Sequence, residues 1–276
     1  MPDFEVVAMA LAPARHLAAF TDHYRAKHPA RIRIYFDGED APDPVQVGLD
    51  PKDLIVCDAA FWATRGGRPQ AVEDRQRVVY AEAYSTLASD WLLVVDIDEM
   101  ILGDVDVSAV LGAVAAEREA VIFPSLEAVW RAGDDLTREY GATLARKPYH
   151  GPLSDQFADL IYPGRGRFFV RGLLAHHMGK HAVRRGLPDV MVCIHESKRG
   201  DRPLKAARAR DPGRGARPGC CITTPSAWTP GGPSGTGASR RATPPKWGAV
   251  AAASRRPMFR REKRVRKPPC SRTSTP

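Results

Sequence analysis

The chain lacks any ordered use of cysteine: its five cysteines, Cys57, Cys193, Cys220, Cys221 and Cys270, show no CxxC or CxxH spacing in 276 residues. An odd, unpatterned set argues against structural zinc and against a secreted disulfide scaffold. No apolar run approaches the roughly 18 residues of a membrane span. The opening Met1-Pro2-Asp3-Phe4-Glu5 has neither the basic start nor the apolar stretch of a secretory signal, so a cytoplasmic location is expected.

The C-terminal part lacks more. Residues 201–276 contain no histidine, one leucine, one isoleucine and two valines, yet hold 12 of the 24 prolines. They also carry 18 basic residues against 3 acidic, whereas residues 1–200 carry 23 against 29, so the overall charge of +9 belongs to the tail. A basic nucleic-acid binder is therefore a poor description of the whole chain. Only Trp228, Trp247 and Phe259 interleave the tail's charges, too few for base stacking, and no specific nucleic acid is expected as a partner. No helical or strand period survives there. The composition fits a disordered basic tail, and the Arg/Pro/Gly/Ala mixture with Cys220-Cys221 also reads as a GC-rich gene translated out of frame from a junction near residues 196–202. On either reading residues 199–276 should not pack, leaving 1–198 as the domain.

In that first part the pattern alternates. Strands are expected at 5–11, 31–36, 53–58, 91–95 and 120–123, and helices after Pro13, from about Asp74, and after the capping residue Asp106. Such alternation predicts an α/β fold, a mostly parallel central sheet with helices on both faces. Further strands are expected at 167–171 and 189–195. The run Trp91-Leu92-Leu93-Val94-Val95-Asp96-Ile97-Asp98-Glu99 is the most telling, because an apolar strand covered on both faces ends abruptly in acids. Asp96 and Asp98, expected on one side at a period of two, repel each other unless a cation neutralises them, which points to a divalent ion. Ligands of parallel sheets bind at the carboxyl ends of the strands, and Asp37, Asp58 and Asp96 to Glu99 all fall at such ends.

Asp90-Trp91-Leu92-Leu93-Val94-Val95-Asp96-Ile97-Asp98-Glu99 resembles the D-W-hydrophobic-D-x-D-E signature of a bacterial branch of family 2 glycosyltransferases of the GT-A fold. Ala175-His176-His177-Met178-Gly179-Lys180-His181-Ala182-Val183-Arg184 resembles the H-x-x-G-K-S-x-x-R stretch of that branch, with His181 where serine is usual. The resemblance covers roughly residues 3–198 and implies a GT-A-like sheet, a nucleoside-diphosphate sugar donor and Mn²⁺ or Mg²⁺. The family normally continues past the His195 region with a further helical segment, which this sequence lacks. The acceptor, a glycan, lipid or protein, is not specified, and peripheral membrane association is compatible with the reading.

By the same resemblance Asp98 is the direct metal ligand, Asp96 a ribose or metal-water contact, and His176 a third ligand. Asp37 and Gln76, the latter flanked by Arg75 and Arg77, are candidates for the nucleotide. Lys180 and Arg184, four residues apart and on one face in either a helix or a strand, could clamp the diphosphate. Glu99 is expected to orient neighbours, and His195 is a lesser candidate. Glu127, Asp155 and Asp159 are the candidate bases for the acceptor hydroxyl, with Asp155 first because it follows the metal strand in a polar loop. Three rivals stand beside this reading. A nucleotidyltransferase would carry a glycine-rich loop after the first strand, where Ala12-Pro13-Ala14-Arg15 has no glycine. The others are a nucleic-acid binder working through its tail and an inactive glycosyltransferase remnant.

Overall fold

Phe4-Glu5-Val6-Val7-Ala8-Met9-Ala10 presents apolar side chains to both faces and forms β1 (Phe4–Ala10), buried along its whole length. The chain then alternates through α1 (Ala14–Arg25), β2 (Arg31–Phe36), β3 (Leu54–Val56), α2 (Ala59–Ala63), α3 (Val72–Ser85) and β4 (Trp91–Val94). After the acids come β5 (Glu99–Ile101), α4 (Val107–Gly112), β6 (Ala120–Phe123), β7 (Ser125–Val129), β8 (Leu144–Arg146) and α5 (Ser154–Ile161). The last strands are β9 (Lys180–Arg184), β10 (Val190–Met191), β11 (Lys198–Arg199), β12 (Arg202–Pro203), β13 (Ala206–Arg208) and β14 (Cys220–Ile222). This computed structural model describes residues 1–131, 133, 134, 140, 142, 144–149, 151, 153–174, 177–210 and 220–222, with backbone only for 154, 155 and 220–222.

Seven strands make the central sheet in the order β13-β6-β9-β4-β1-β2-β3. The pairs β1–β2, β1–β4, β2–β3 and β13–β6 are parallel, and β9 alone runs against its neighbours β4 and β6. Period two sorts the side chains between two faces. Phe4, Val6 and Ala8 of β1 with Trp91 and Leu93 of β4 meet α1 through Leu17, Phe20 and Tyr24, and α4 through Val107, Val110 and Leu111. Val7, Met9, Leu92 and Val94 meet Val79, Tyr80 and Ala83 of α3 and Trp62 of α2. Each large side chain buried this way contributes roughly 1.5–3 kcal/mol, so the mostly parallel sheet covered on both faces follows from the apolar runs. Asp106 caps α4 as expected, accepting from Ala109 N at 2.9 Å.

Two expectations fail. Residues 167–171 are not a strand: Gly166–Phe168 is a single 3-10 turn, and the stretch expected between two strands, Lys180–Arg184, is itself the strand in the middle of the sheet. His181, Ala182 and Val183 are buried there between β4 and β6, and cover on both edges outweighs the polar look of the sequence. The domain also does not end at residue 198. β13 pairs in parallel with β6, Leu204 and Ala209 are buried, and β14 lies between β5 and β7. Alanines hold that edge strand through its backbone pairing with β6. Residues 211–219 and 223–276 lie outside the described part.

One ion pair is built into the core. The Arg33 guanidinium of β2 lies 2.9 Å from the Glu5 carboxylate of β1, with both side chains 3% exposed, and donates hydrogen bonds to Ala83 O and Thr86 Oγ1 at the end of α3. Glu5 in turn accepts from the backbone N–H groups of Ala88 and Ser89. Arg33→Met is expected to cost about 3–5 kcal/mol in urea unfolding by stranding Glu5, and the Glu5→Gln/Arg33→Met pair should recover a large part of that loss.

Candidate active site

Because β1, β2 and β4 are parallel, the segments that follow them gather at one rim: Leu11 to Pro13 after β1, Asp37 after β2, and Val95 to Asp98 after β4. A cleft of about 900 Å³ opens there, lined among others by Ala12, Arg15, His16, Asp37, Arg75, Gln76, Asp96 and Asp98. Arg15 and His16 come from the first turn of α1. Sequence reasoning missed both, although a helix that starts directly after a buried parallel strand must point its N-terminus at this rim.

Asp96 and Asp98 reach the cleft together, but not by alternation along a strand. β4 stops at Val94, and residues 96–99 form a turn closed by Glu99 N donating to Asp96 O at 3.1 Å. Two charges that would crowd an extended strand are accommodated by the turn. Burial, then the neighbouring Asp96 charge, pushes the Asp98 carboxyl up to about 6. Glu99 is deeper, 2% exposed on β5, and burial pushes its carboxyl up as well, against the pull of Lys180.

Lys180 is the centre of this arrangement. Its side chain is 1% exposed, and Nζ lies 2.6 Å from Asp96 Oδ2 and 3.2 Å from Glu99 Oε2. His195 Nδ1 stands 3.4 Å from the same ammonium, and burial followed by that positive charge lowers the His195 pKa. Gly179 makes the approach possible. Its φ is +80°, and a Cβ there would come within 2.3 Å of Phe123 O, so only glycine fits before β9. His181, next along the strand, is lowered to about 3, chiefly by burial and then by Lys180, and its Nε2 pairs with Ser197 Oγ at 2.6 Å.

Several expected roles change with these contacts. Lys180 is not a solvent-facing diphosphate clamp; it is the internal counter-ion of Asp96 and Glu99. Arg184 is at the far end of β9, paired with Trp91 at the start of β4, where its guanidinium lies over the Trp91 ring at 4.2 Å and donates to Arg118 O. In an extended strand four residues span about 13 Å, so Lys180 and Arg184 cannot grip one diphosphate. Asp37 is near the cleft as expected, but its carboxylate is held by Arg75 at 2.9 Å and Arg68 at 3.0 Å. Arg75 also donates to Pro69 O and Gln70 O. Asp37 therefore anchors the 64–70 loop to α3 before it can serve a nucleotide. Asp58 caps α2 by accepting from Phe61 N. Gln76 does reach the site, 3.4 Å from Asp96 Oδ1.

Among the candidate bases, Glu127 is engaged by Arg146 at 2.5 Å and by Leu174 N. Asp155 belongs to α5, but its side chain lies outside the described residues, as does His176 altogether. Among the described residues no group of three or more His, Cys, Asp or Glu is arranged to hold a metal ion. The donors present fit a different kind of site. Mg²⁺ and Mn²⁺ are commonly held by one or two carboxylates and completed by substrate phosphate oxygens and water. Asp98 supplies such an oxygen donor at a desolvated, electrostatically disfavoured position, whereas Asp96 has one oxygen on Lys180 and the other facing Gln76.

No family profile and no curated protein matches the sequence. Similar solved structures include glucosyl-3-phosphoglycerate synthase from Mycobacterium tuberculosis in complex with Mn²⁺, UDP-glucose and phosphoglyceric acid, at 12% identity and a TM-score of 0.35 over 67% of this chain and 57% of that one. The same enzyme with Mg²⁺ and UDP gives 14% and 0.34 over 67% and 57%. Mannosyl-3-phosphoglycerate synthase from Rubrobacter xylanophilus gives 17% and 0.35 over 67% and 53%. The matches thus span little more than half the length of those enzymes.

Two outcomes are expected from the charge arrangement. The folded Asp98 carboxyl holds its proton to about pH 6, while the unfolded chain releases it near 4, so this group's contribution makes stability fall as pH rises between those values. In EDTA, Asp98→Asn should be more stable than wild type at pH 8 by roughly 1–3 kcal/mol, and the difference should vanish near pH 3.5 in urea titrations. Lys180→Met should act in the opposite sense. It should lose about 3–5 kcal/mol at pH 8 by stranding the buried Glu99 and removing the partner of the partly exposed Asp96, with a smaller deficit at pH 5, where Glu99, pushed up by burial, takes up a proton.

Proposed function

We propose that the chain, over residues 1 to about 209, is a metal-dependent glycosyltransferase domain of the GT-A-like, family 2 type, which transfers a sugar from a nucleoside-diphosphate donor to an acceptor. The observation that carries the reading is the meeting of Asp96 and Asp98, at the tip of an apolar parallel strand, with Arg15 and His16 of α1 in one cleft of about 900 Å³. Acids and bases gathered this way suit a ligand that is anionic and cation-bound.

The residues divide the work by charge. Diphosphate binding falls to Arg15 and to the N-terminus of α1, whose first turn carries no acidic residue and whose N–H groups point toward the rim. Asp98 would hold a divalent ion, with Asp96 contacting it through water and His176 completing the set. When bound, that ion offsets the charge that develops on the leaving diphosphate. Arg75 and Arg68 hold Asp37 in place and so shape the wall nearest the nucleotide. Asp155 is assigned the acceptor's proton, which it must take as the hydroxyl oxygen bonds to the sugar; Glu127 is excluded from that task by its salt bridge.

The reading places the protein in the cytoplasm, where sugar nucleotides are supplied. An out-of-frame origin for the C-terminal segment belongs to the same reading, with any junction moved beyond Ala209, which is buried against the sheet. Shifting the reading frame of the coding DNA past that codon should then yield a sequence containing leucine, histidine and helical periodicity.

The activity is tested by incubating the purified chain with UDP- and GDP-sugars in Mn²⁺, in Mg²⁺ and in EDTA. Sugar release or transfer should require the ion, and Asp98→Asn should lower kcat by 100-fold or more, about 3 kcal/mol of transition-state stabilisation, with its circular dichroism retained. Undiminished turnover in EDTA, or in the folded Asp98→Asn variant, would remove the basis of the proposal.

A further inference from the structure

Helix α5 is built the wrong way round for a core helix. Its apolar residues Phe157, Leu160 and Ile161 stand at i, i+3 and i+4, the spacing of a single face, yet they are 50%, 74% and 50% exposed, while Ala158 beside them is buried. The turn that follows continues the pattern, with Phe168, Val170 and Leu174 also exposed. This segment is not loose chain. Tyr162 stacks on Phe169 with ring centroids 4.1 Å apart, and Arg146 lies near both rings. The apolar side chains thus project from a packed support.

Arginines are interleaved with them. Arg165, Arg167 and Arg171 are exposed on the same turn, Arg167 lies over the Phe168 ring at 4.9 Å, and among the described residues none of the three pairs with a carboxylate. Asp159, the described acid of α5, is directed at Gly166, whose Cβ position it crowds. A surface of exposed Phe, Leu and Ile ringed by arginine selects an occupant that is apolar beneath and anionic on top.

We propose that this face, α5 with the 165–174 turn, docks the protein onto a bilayer containing anionic phospholipid. Charge disfavours the other ways of covering it. A second copy would bring the same three arginines against their counterparts, and the chain's own 223–276 segment, with 12 basic residues and one acidic, would be repelled. Headgroup phosphates supply the missing negative charge, and the acyl boundary accepts the apolar side chains.

The experiment is co-sedimentation of the full chain with vesicles of phosphatidylcholine alone or with 30% phosphatidylglycerol. Binding to the anionic vesicles at 0.15 M salt should exceed binding to neutral ones at least tenfold. The basic tail could produce that preference by itself, so the comparison is repeated at 0.5 M salt, where such attraction is screened. There Phe157→Ser/Leu160→Ser/Phe168→Ser should bind at least tenfold less than wild type with an unchanged melting curve. Arg165→Glu/Arg167→Glu/Arg171→Glu should bind the anionic vesicles at least tenfold less than wild type at 0.15 M, the tail being common to both. The proposal is overturned if anionic vesicles are not bound, if wild-type binding disappears at 0.5 M, or if either variant binds as wild type does. It is also overturned if lipid-free sedimentation shows a dimer that the serine variant dissolves. None of these readouts depends on sugar transfer, so the glycosyltransferase reading can fail while this one stands.

Discussion

The ammonium of Lys180, sealed between Asp96 and Glu99, is the interaction on which the rim of the sheet depends. A carboxylate brought into an apolar interior without a partner costs several kcal/mol or takes up a proton. Here three acids follow one another within four residues at the end of β4, and two of them touch the same buried cation. Without it, the turn at residues 96–99 would have to open to water or hold protons. The site therefore exists in this shape because a strand 84 residues later in the chain returns to neutralise it.

That dependence explains the odd topology. A purely parallel sheet would place another strand's own carboxyl end beside β4. Here β9 enters the space between β4 and β6 from the opposite direction, with its first residue beside the acids and its last, Arg184, at the far edge over Trp91. Gly179 and Ser125 secure the entry, since Gly179 N donates to Ser125 Oγ at 2.9 Å and its backbone takes a conformation no side chain would tolerate so close to Phe123 O. A glycine followed by lysine is in this setting a structural instruction, one residue to turn the chain and one to balance charge.

Much of the fold was legible from local pattern. The apolar runs of β1, β2, β4 and β6 and the stripes of α1 and α3 are strong signals because each element is buried by its own periodic face. The acids at strand ends were legible for the same reason, being where the apolar pattern breaks. The partners of those acids were not. Whether Asp37 faces a ligand or two arginines depends on Arg68 and Arg75, residues 31 and 38 positions away, and nothing in the spacing of either segment announces the contact. The strand Lys180–Arg184 was hidden by its charged ends, because a basic stretch reads as solvated until the acids that bury its lysine are known. The packing of Ala206–Arg208 was hidden by composition: an alanine- and arginine-rich strand looks like tail sequence, and only the unpaired edge of β6 gives it a place.

The two acids of the turn are consequently not equivalent. Asp96 is tied to a fixed cation that cannot exchange, so its position is set when the protein folds and does not await a ligand. Asp98 lies on the cleft side of the same turn, where burial and the Asp96 charge together hold its carboxyl near 6. A group disfavoured in its charged form gains most from a cation that arrives later, because that cation relieves both the desolvation and the repulsion. The lysine thus fixes the shape of the turn independently of anything that meets Asp98, and two acids on a single lysine-anchored turn are left with different electrostatic work.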